Sequence, residues 1–483
     1  MTTSETSDLS DTAAPRPPSG TDEPAPSAGP LLLVLAGTFI TVLDFFIVNV
    51  AAPSIQGDLH ASPAAIQFTI AGYGLAFAAL MITSGRMGDL YGRRKMFTAG
   101  LALFTLASAA SGLAQNPGEL VGARVVQGVA AALLTPQVLA ILGSVYTGKH
   151  RANAFNAYGL TIGIAGVFGQ LIGGALIAAN IGGSGWRAIF LINVPIGLIA
   201  LAFVGKVVPE SRGEGRTGLD LVGTVLVTLG LVAVVLPLVQ GREQGWPTWS
   251  IVSLVAALPL LALFGLHQRA LGARGRSPLI DVSLFRERAF SVGLLCTLGY
   301  YSAMGSCFLV LSLYLQQGHG LSALGSGLVY VPMGVGFFLS SAMAPKLVGA
   351  LGRQVLAVGA VLVAVGYTAL SEIGTAIGTT GSVWWLVPAL VVSGFGMGMV
   401  MAPLSSTVLE RVAPHHAASA SGALSTAQEI GGALGVALVG IIFFGVVGDP
   451  ARAFGTSLYL LIGFAVAVAL LVQLLPKAQQ AEA

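Results

Sequence analysis

Charge is what this sequence has least of: Asp, Glu, Lys and Arg make up 9% of its 483 residues, against roughly 25% in a soluble domain. That scarcity, beside a hydrophobic share of 55%, excludes a water-soluble chain and leaves no stretch large enough for a soluble catalytic domain. Cysteine is nearly absent. Cys296 and Cys307 stand eleven residues apart on one apolar run, roughly 16 Å along a helix axis, too far to bridge each other. No Gly-x-x-x-x-Gly-Lys-Ser/Thr loop occurs, so nucleotide-driven work is not expected. His415-His416 has no partner ligands nearby, so neither metal nor cofactor is expected. No nucleophile stands with a base, so no enzyme is expected either. The formal net charge of +3 forms no basic and aromatic groove, which argues against a nucleic-acid partner. Residues 1–30 hold six prolines, five acids and one Arg, with no apolar core before Leu31. They read as a disordered tail rather than a signal peptide.

What the chain has in abundance is apolar runs of about 20 residues, the length that crosses a hydrocarbon layer of ~30 Å. Fourteen lie near 31–52, 66–85, 96–114, 120–143, 153–178, 187–207, 219–239, 250–268, 289–315, 325–345, 354–373, 384–404, 418–445 and 457–475. Assigning the connecting loops to alternate sides places nearly all of the 23 Lys and Arg on one side. Arg187, Arg242 and Arg452 fall on the other, and Arg124 lies inside a run. The positive-inside rule makes the rich side cytoplasmic, which predicts a multi-pass protein of the cell membrane with both termini in the cytoplasm.

Polar breaks at Pro209–Asp220 and His267–Arg288 divide the ladder. The expected organisation is a tail at 1–30, a six-helix bundle at 31–207, a linker with two extra helices at 208–280, a second six-helix bundle at 281–476, and a tail at 477–483. The fold class is all-α integral membrane: 14 transmembrane helices in two pseudo-symmetric bundles plus two inserted helices. An internal echo supports the duplication. Run 5 reads Gly169-Gln170-Leu171-Ile172-Gly173-Gly174-Ala175-Leu176 and run 13 reads Ala427-Gln428-Glu429-Ile430-Gly431-Gly432-Ala433-Leu434, six matches in eight positions. A weaker echo pairs Thr135-Pro136 with Ala402-Pro403.

Between runs 2 and 3 the chain reads Gly85-Arg86-Met87-Gly88-Asp89-Leu90-Tyr91-Gly92-Arg93-Arg94-Lys95. Gly85 and Gly92 permit close approach of two helix ends. Asp89 is placed to pair with Arg93, four residues on. The plain alternative is a membrane anchor; an acid and two glycines among the bases favour a gating latch, built from Gly85, Asp89, Gly92, Arg93 and Arg94 and pressed against the second half.

This loop resembles the signature loop of the major facilitator superfamily. Leu43-Asp44-Phe45-Phe46-Ile47-Val48-Asn49-Val50-Ala51-Ala52-Pro53 looks like the first-helix motif of its 14-spanner drug:proton antiporters. Arg124-Val125-Val126-Gln127-Gly128 is similar to the superfamily's proton-coupling motif, and Trp186-Arg187-Ala188-Ile189-Phe190-Leu191-Ile192-Asn193-Val194-Pro195 is typical of the same branch. One departure is that Gln170 stands where the exporter motif of run 5 carries proline. Gln170 keeps the helix intact and either lines a cavity or hydrogen-bonds a neighbour, while Gly169, Gly173 and Gly174 offer a smooth face for helix packing.

Ionisable residues inside the membrane are functional candidates by default. Asp44 lies ~20 Å along its helix from the basic side and Arg124 ~7 Å below the other side, so the two are expected to meet, directly or through water, and to carry proton coupling. The plain readings are a structural hydrogen bond for Asp44 and snorkelling for Arg124. Glu429 falls near the midplane, as a substrate-cavity acid or as a buried neutral one. Gln170, Gln67, Tyr73 and Asn49 are further cavity candidates, with Asn193, Tyr300, Tyr301, Gln316 and Gln317 among the other polar or aromatic residues on apolar helices. Met and Phe read mainly as core or lipid-facing filler. The resemblance implies a proton-coupled secondary transporter that exports amphipathic drugs, antibiotics or metabolites. Its partners are a small-molecule substrate, protons and the lipid bilayer, and it works as a monomer. An importer or metabolite exchanger on the same fold, and a non-transporting lipid-handling or sensor protein, stay open.

Overall fold

The computed structural model describes residues 28–213, 218–276, 278–409, 412, 417–446 and 448–476, and every regular element among them is helical. Of the tail expected at 1–30, residues 28–30 instead open the first helix, while residues 1–27, the tail at 477–483, and Glu410, Arg411, His415 and His416 lie outside the described residues. The first half holds α1 (Ala28–Asp58), α2 (Pro63–Tyr91), α3 (Arg93–Leu113), α4 (Pro117–Val145), α5 (Gly148–Ala179), the single turn α6 (Ala188–Leu191) and α7 (Asn193–Val207). Two further helices, α8 (Leu221–Gln240) and α9 (Thr248–Ala273), precede the second half. That half holds α10 (Arg288–Leu313), the short α11 (Ala323–Val329), α12 (Val331–Leu351), α13 (Gln354–Ile377), α14 (Val387–Leu409), α15 (Ala417–Phe443) and α16 (Pro450–Val472).

Local chemistry sets these limits. Ser62 caps α2 by accepting the Ala65 amide at 3.2 Å, with Pro63 at the first helical position, where its missing N–H costs nothing. At α4, Asn116 accepts the Glu119 amide at 3.0 Å while Glu119 accepts the Gln115 amide at 2.9 Å, a reciprocal cap. α5 closes on Asn180 in the left-handed conformation, φ 42°. Thirteen helices among the described residues are long and apolar enough to cross a membrane, and there are fourteen when the two parts of the bent α5 are counted as one span. Its two parts, Gly148–Gly166 and Phe168–Ala179, are inclined by 49°. The absence of proline at position 170 therefore does not leave this helix straight: the change of direction falls earlier, in a glycine-rich stretch that has few side chains to stiffen it.

Packing repeats between the halves. α4 packs on both α2 and α3, as α14 does on α12 and α13, and α1 lies on α5 as α10 lies on α15. The halves meet along two seams, α2 with α15 and α5 with α11, while α1 touches α10 between them. The inserted pair lies beside the first seam, with α8 against α9, α2 and α15. Thr224 of α8 and Thr83 of α2 share a hydrogen bond of 2.7 Å. Asp220, at the head of α8, is held by the Gly223 amide (2.8 Å), Gln268 (2.7 Å) and His267 (2.8 Å). Burial works against its ionisation, yet these donors outweigh it and keep the carboxyl below the ordinary carboxylate range.

The small face of α5 is taken up by these seams. A Cβ at Gly173 would sit 2.5 Å from Ile47 Cγ1, and one at Gly169 would sit 3.1 Å from Phe46 Cβ, both on α1. Gly174 abuts the backbone of Ala323 at the head of α11. Cys296 and Cys307 are both buried free thiols.

Candidate functional site

α1, α2, α3, α4 and α7 converge on one carboxylate. Asp44 is fully buried and paired with Arg124, itself fully buried. Its Oδ1 also accepts from Gln127 Nε2 at 2.8 Å and Asn193 Nδ2 at 3.0 Å. Both amides reach Ser108 Oγ on α3, at 2.8 and 3.3 Å. Arg124 in turn donates to the Thr69 carbonyl at 2.9 Å and to Gln127 Oε1 at 2.7 Å. Its guanidinium lies 4.4 Å from the centroid of the Tyr73 ring and 5.6 Å from that of Phe190. A fully buried charge is tolerable only when paired and hydrogen-bonded, and this cluster supplies both conditions. Asp44 and Arg124, expected to meet, are in direct contact. Tyr73, expected in a substrate cavity, is instead stacked on Arg124 in this cluster. Gln127 was detectable by its spacing of three from Arg124, which places both on one helix face. Ser108 gave no signal, since a single serine on an apolar helix is commonplace.

A partly open apolar cavity lies where the halves face each other. Phe46, Met304, Phe308, Met333, Met397 and Met401 are among its lining residues, with Gly163 and Gly166 of α5. These are exceptions to the reading of Met and Phe as mainly filler: an apolar side chain facing a cavity has the same sequence signature as one facing lipid. A second, much narrower space is bounded by Phe45, Phe46, Asn49, Gly74 and Gly432, among others. Asn49 lines this second space; Gln67, Gln170 and Glu429 line neither. Gln170 is fully buried and donates to the Phe46 carbonyl at 2.8 Å. Gln67 is buried beneath Gly440 of α15. Glu429 lies on the α2–α15 seam, its Oε2 3.5 Å from the position a Cβ would take on Gly74, and that oxygen has no hydrogen-bond partner.

At the basic face the α2–α3 loop is tied down by charge. Arg93 Nη2 meets Asp89 Oδ1 at 3.0 Å, and Gly92 turns the chain at φ 113°, a conformation that disfavours any side chain. The partner differs from expectation. Among the described residues, the loop grips the chain leaving α7 rather than the second half: Arg93 N donates to the Ser211 carbonyl at 2.9 Å, Arg94 N to Glu210 Oε1 at 3.1 Å, and Gly213 N to the Asp89 carbonyl at 3.2 Å. Arg86 reaches onward to the carbonyls of Gly218 and Pro278, on either side of the inserted pair. Gly85 makes only ordinary contact, near Pro136. The segment after α7 returns along this face, and its carbonyls and Glu210 answer the loop's bases. At the opposite face the halves are joined directly. Gln316 donates to the Val50 carbonyl and Gln317 to Gln56 Oε1, each at 2.8 Å.

Residues 34–436 match the Major Facilitator Superfamily. The chain is 38% identical to the probable actinorhodin transporter of Streptomyces coelicolor, covering 87% of this chain and 73% of that protein. It is 34% identical to the cephamycin export protein of Amycolatopsis lactamdurans, with 92% of each covered. With the tetracenomycin C resistance and export protein of Streptomyces glaucescens it shares 32% identity over 87% of this chain and 76% of the relative. Among solved structures, a POT family transporter in complex with a thioalcohol-conjugated peptide superposes with a TM-score of 0.67 at 14% identity, covering 92% of this chain and 95% of that one. A bacterial homologue of the lysosomal transporter Spinster, inward-facing and unoccupied, gives 0.65 at 17% identity, covering 94% and 98%. These two likenesses concern the fold alone. With its family match extending over most of the described helices and these relatives aligned over 73%, 76% and 92% of their own length, the chain belongs to the Major Facilitator Superfamily.

Proposed function

We propose that this protein exports amphipathic drugs, antibiotics or related metabolites across the cell membrane in exchange for protons, with the basic face and both termini in the cytoplasm. The export and resistance proteins among its relatives support the direction and the kind of cargo. The observation that carries the coupling is the shared use of α1. Asp44 points into the sealed polar cluster, and Phe46, two residues on and so roughly 200° around the helix, lines the cavity. Protonating Asp44 removes the charge that holds Arg124, and α1 is then free to shift against α4 and α7. The same helix carries a cavity wall, so the substrate site moves with it. The energy is that of a population shift: a proton that binds one conformation better than the other favours that conformation.

The cavity favours cargo with aromatic or aliphatic bulk, since thioethers and rings form most of the wall. The working unit is a monomer, because substrate cavity and polar cluster are both complete within one chain. The test is flux in liposomes carrying the purified protein, with a pH gradient imposed in either direction. Substrate movement against the proton gradient is expected, reversing when the gradient is reversed. Flux that ignores the gradient, or that runs with the protons, overturns the exchange reading.

A further inference from the structure

Three fully buried side chains around the site each carry a polar atom without a hydrogen-bond partner: Arg124 Nη2, Asn193 Oδ1 and Ser111 Oγ. Such an atom in a dry interior costs about 1–3 kcal/mol, and ordered water is the usual remedy. Their placement is not scattered. Arg124 and Asn193 both hold Asp44, and Asn193 also touches Ser108 at 3.3 Å. Ser111 lies one turn of α3 beyond Ser108, ~4.5 Å along the axis on the same face. α3 ends two residues later at Leu113. There the Ala114 carbonyl accepts Arg187 Nη2 at 3.1 Å, and Arg187 Nη1 holds the half-exposed Asp58 at 2.7 Å.

The other half of the same helical stripe is apolar. Phe97, Leu101 and Phe104 precede Ser108 by eleven, seven and four residues, and all are fully buried. Leu134 and Ile40 belong to the same apolar cluster. The stripe is therefore oily from the basic face up to Asp44, save for Thr105, whose hydroxyl is spent on the Leu101 carbonyl at 2.7 Å, and hydroxylic from Asp44 to the opposite face.

From this asymmetry we infer that Ser108 and Ser111 line a one-sided water route, by which protons pass between Asp44 and the face opposite the basic loops. The inference rests on the proton-exchange reading above. A proton delivered by water goes to the Asp44 carboxylate, while the guanidinium of Arg124 keeps its charge and its contacts to Thr69 and the Tyr73 ring. The charged groups along the way are Arg124 at the inner end and Arg187 and Asp58 at the outer end. Phe97, Leu101 and Phe104 form the dry plug that bars the proton from the basic face in this conformation, so that its release there waits on the shift of α1.

The test compares two modes of the same liposome-embedded protein: flux driven by a pH gradient, which moves protons, and substrate counterflow, which requires no net proton movement. Ser111→Ala is expected to slow driven flux about tenfold, the effect of ~1.4 kcal/mol on a barrier, and to leave counterflow unchanged. Ser111→Thr, which keeps the hydroxyl, is expected to retain driven flux. Leu101→Ser, which wets the plug, is expected to pass protons in the absence of substrate. Full driven flux in Ser111→Ala together with a tight Leu101→Ser overturns the route. So does an equal loss of driven flux and counterflow in Ser111→Ala, which assigns the hydroxyl to packing. Wild-type protein that counterflows but ignores the pH gradient removes the exchange reading first, and the route with it.

Discussion

The two halves share a packing plan and differ in what fills it. In the first, the helices close on an ionised pair surrounded by amides and a serine. In the second, neutral tyrosines do the corresponding work. Tyr300 donates to the Met397 carbonyl at 2.9 Å, Tyr330 to the Phe308 carbonyl at 2.7 Å, and Tyr314 to those of Gly374 and Gly378 at 2.9 and 2.6 Å. Among the described residues no salt bridge lies within 281–476. A hydroxyl on a carbonyl fixes helices whatever the proton gradient does, whereas a carboxylate on a guanidinium holds only while ionised. Under the proposed proton exchange the difference implies a division of labour, in which the first half changes state and the second is the fixed body against which it moves.

The sharpest way to break this comparison is to neutralise one member of each set. Asp44→Asn is expected to lower gradient-driven export by a factor of about 10² or more, the scale of losing an essential proton-transfer group. Tyr300→Phe removes one neutral hydrogen bond, and a loss of about 1 kcal/mol in stability is expected, with coupling intact. Comparable loss of drive in both variants, measured in the same vesicles, would dissolve the division.

Next in size is the stability of the pair itself. Arg124→Ala leaves Asp44 buried without its counter-charge, and a cost of about 3–5 kcal/mol is expected. The double variant Asp44→Asn/Arg124→Ala is expected to recover part of that cost while remaining uncoupled. Thermal unfolding in detergent gives the stabilities and vesicle flux gives the coupling. Additive destabilisation in the double variant would mean that the two charges do not depend on each other.

A smaller effect is expected at the basic face. Asp89 and Arg93 are half-exposed, with side-chain accessibilities of 40% and 21%, so their pairing contributes only up to ~1 kcal/mol. Asp89→Asn is expected to slow turnover roughly fivefold, the rate equivalent of that energy, with substrate affinity unchanged. Glu210→Gln, on the segment that the loop grips, is expected to act in the same direction. Equal turnover in both would leave the loop as an anchor.

How far the sequence foretold this molecule follows from where its information is local. The spans were legible because apolar length is a property of each run. Asp44 and Arg124 were legible because a charge stands out against such a run, although they are eighty residues apart. The grip of the α2–α3 loop on Glu210 and Ser211 was not legible, because nothing in either segment names the other. Neither was the bend in α5, which arises in a glycine-rich stretch rather than at a proline. Ser108 and the methionines of the cavity stayed hidden because their residue types are ordinary on any membrane helix. The faces they occupy are set by tertiary packing.

The smallest expected effect bears on the one acid that complicates the comparison. Glu429 belongs to the second half, yet it sits on the seam with α2, beside Gly74, and Gly74 lines the smaller cavity with Phe45, Phe46 and Asn49. Its Oε2 has no partner, so it lacks the counter-charge that makes Asp44 a switch. In the echo of run 5 the matching position is Leu171, and the duplicated plan therefore requires no acid there. An acid without a guanidinium next to a cavity can interact with cargo, and its field reaches further where the dielectric is low. Glu429→Gln is accordingly expected to weaken export of cationic substrates about threefold, worth ~0.7 kcal/mol, and to spare neutral ones and the pH dependence of transport. The measurement is a panel of matched cationic and neutral dyes in the same vesicles, at two values of the imposed gradient. Uniform loss across the panel with a changed gradient dependence would make Glu429 a second coupling acid and end the picture of a passive second half. No change anywhere would reduce it to a packing residue of the seam.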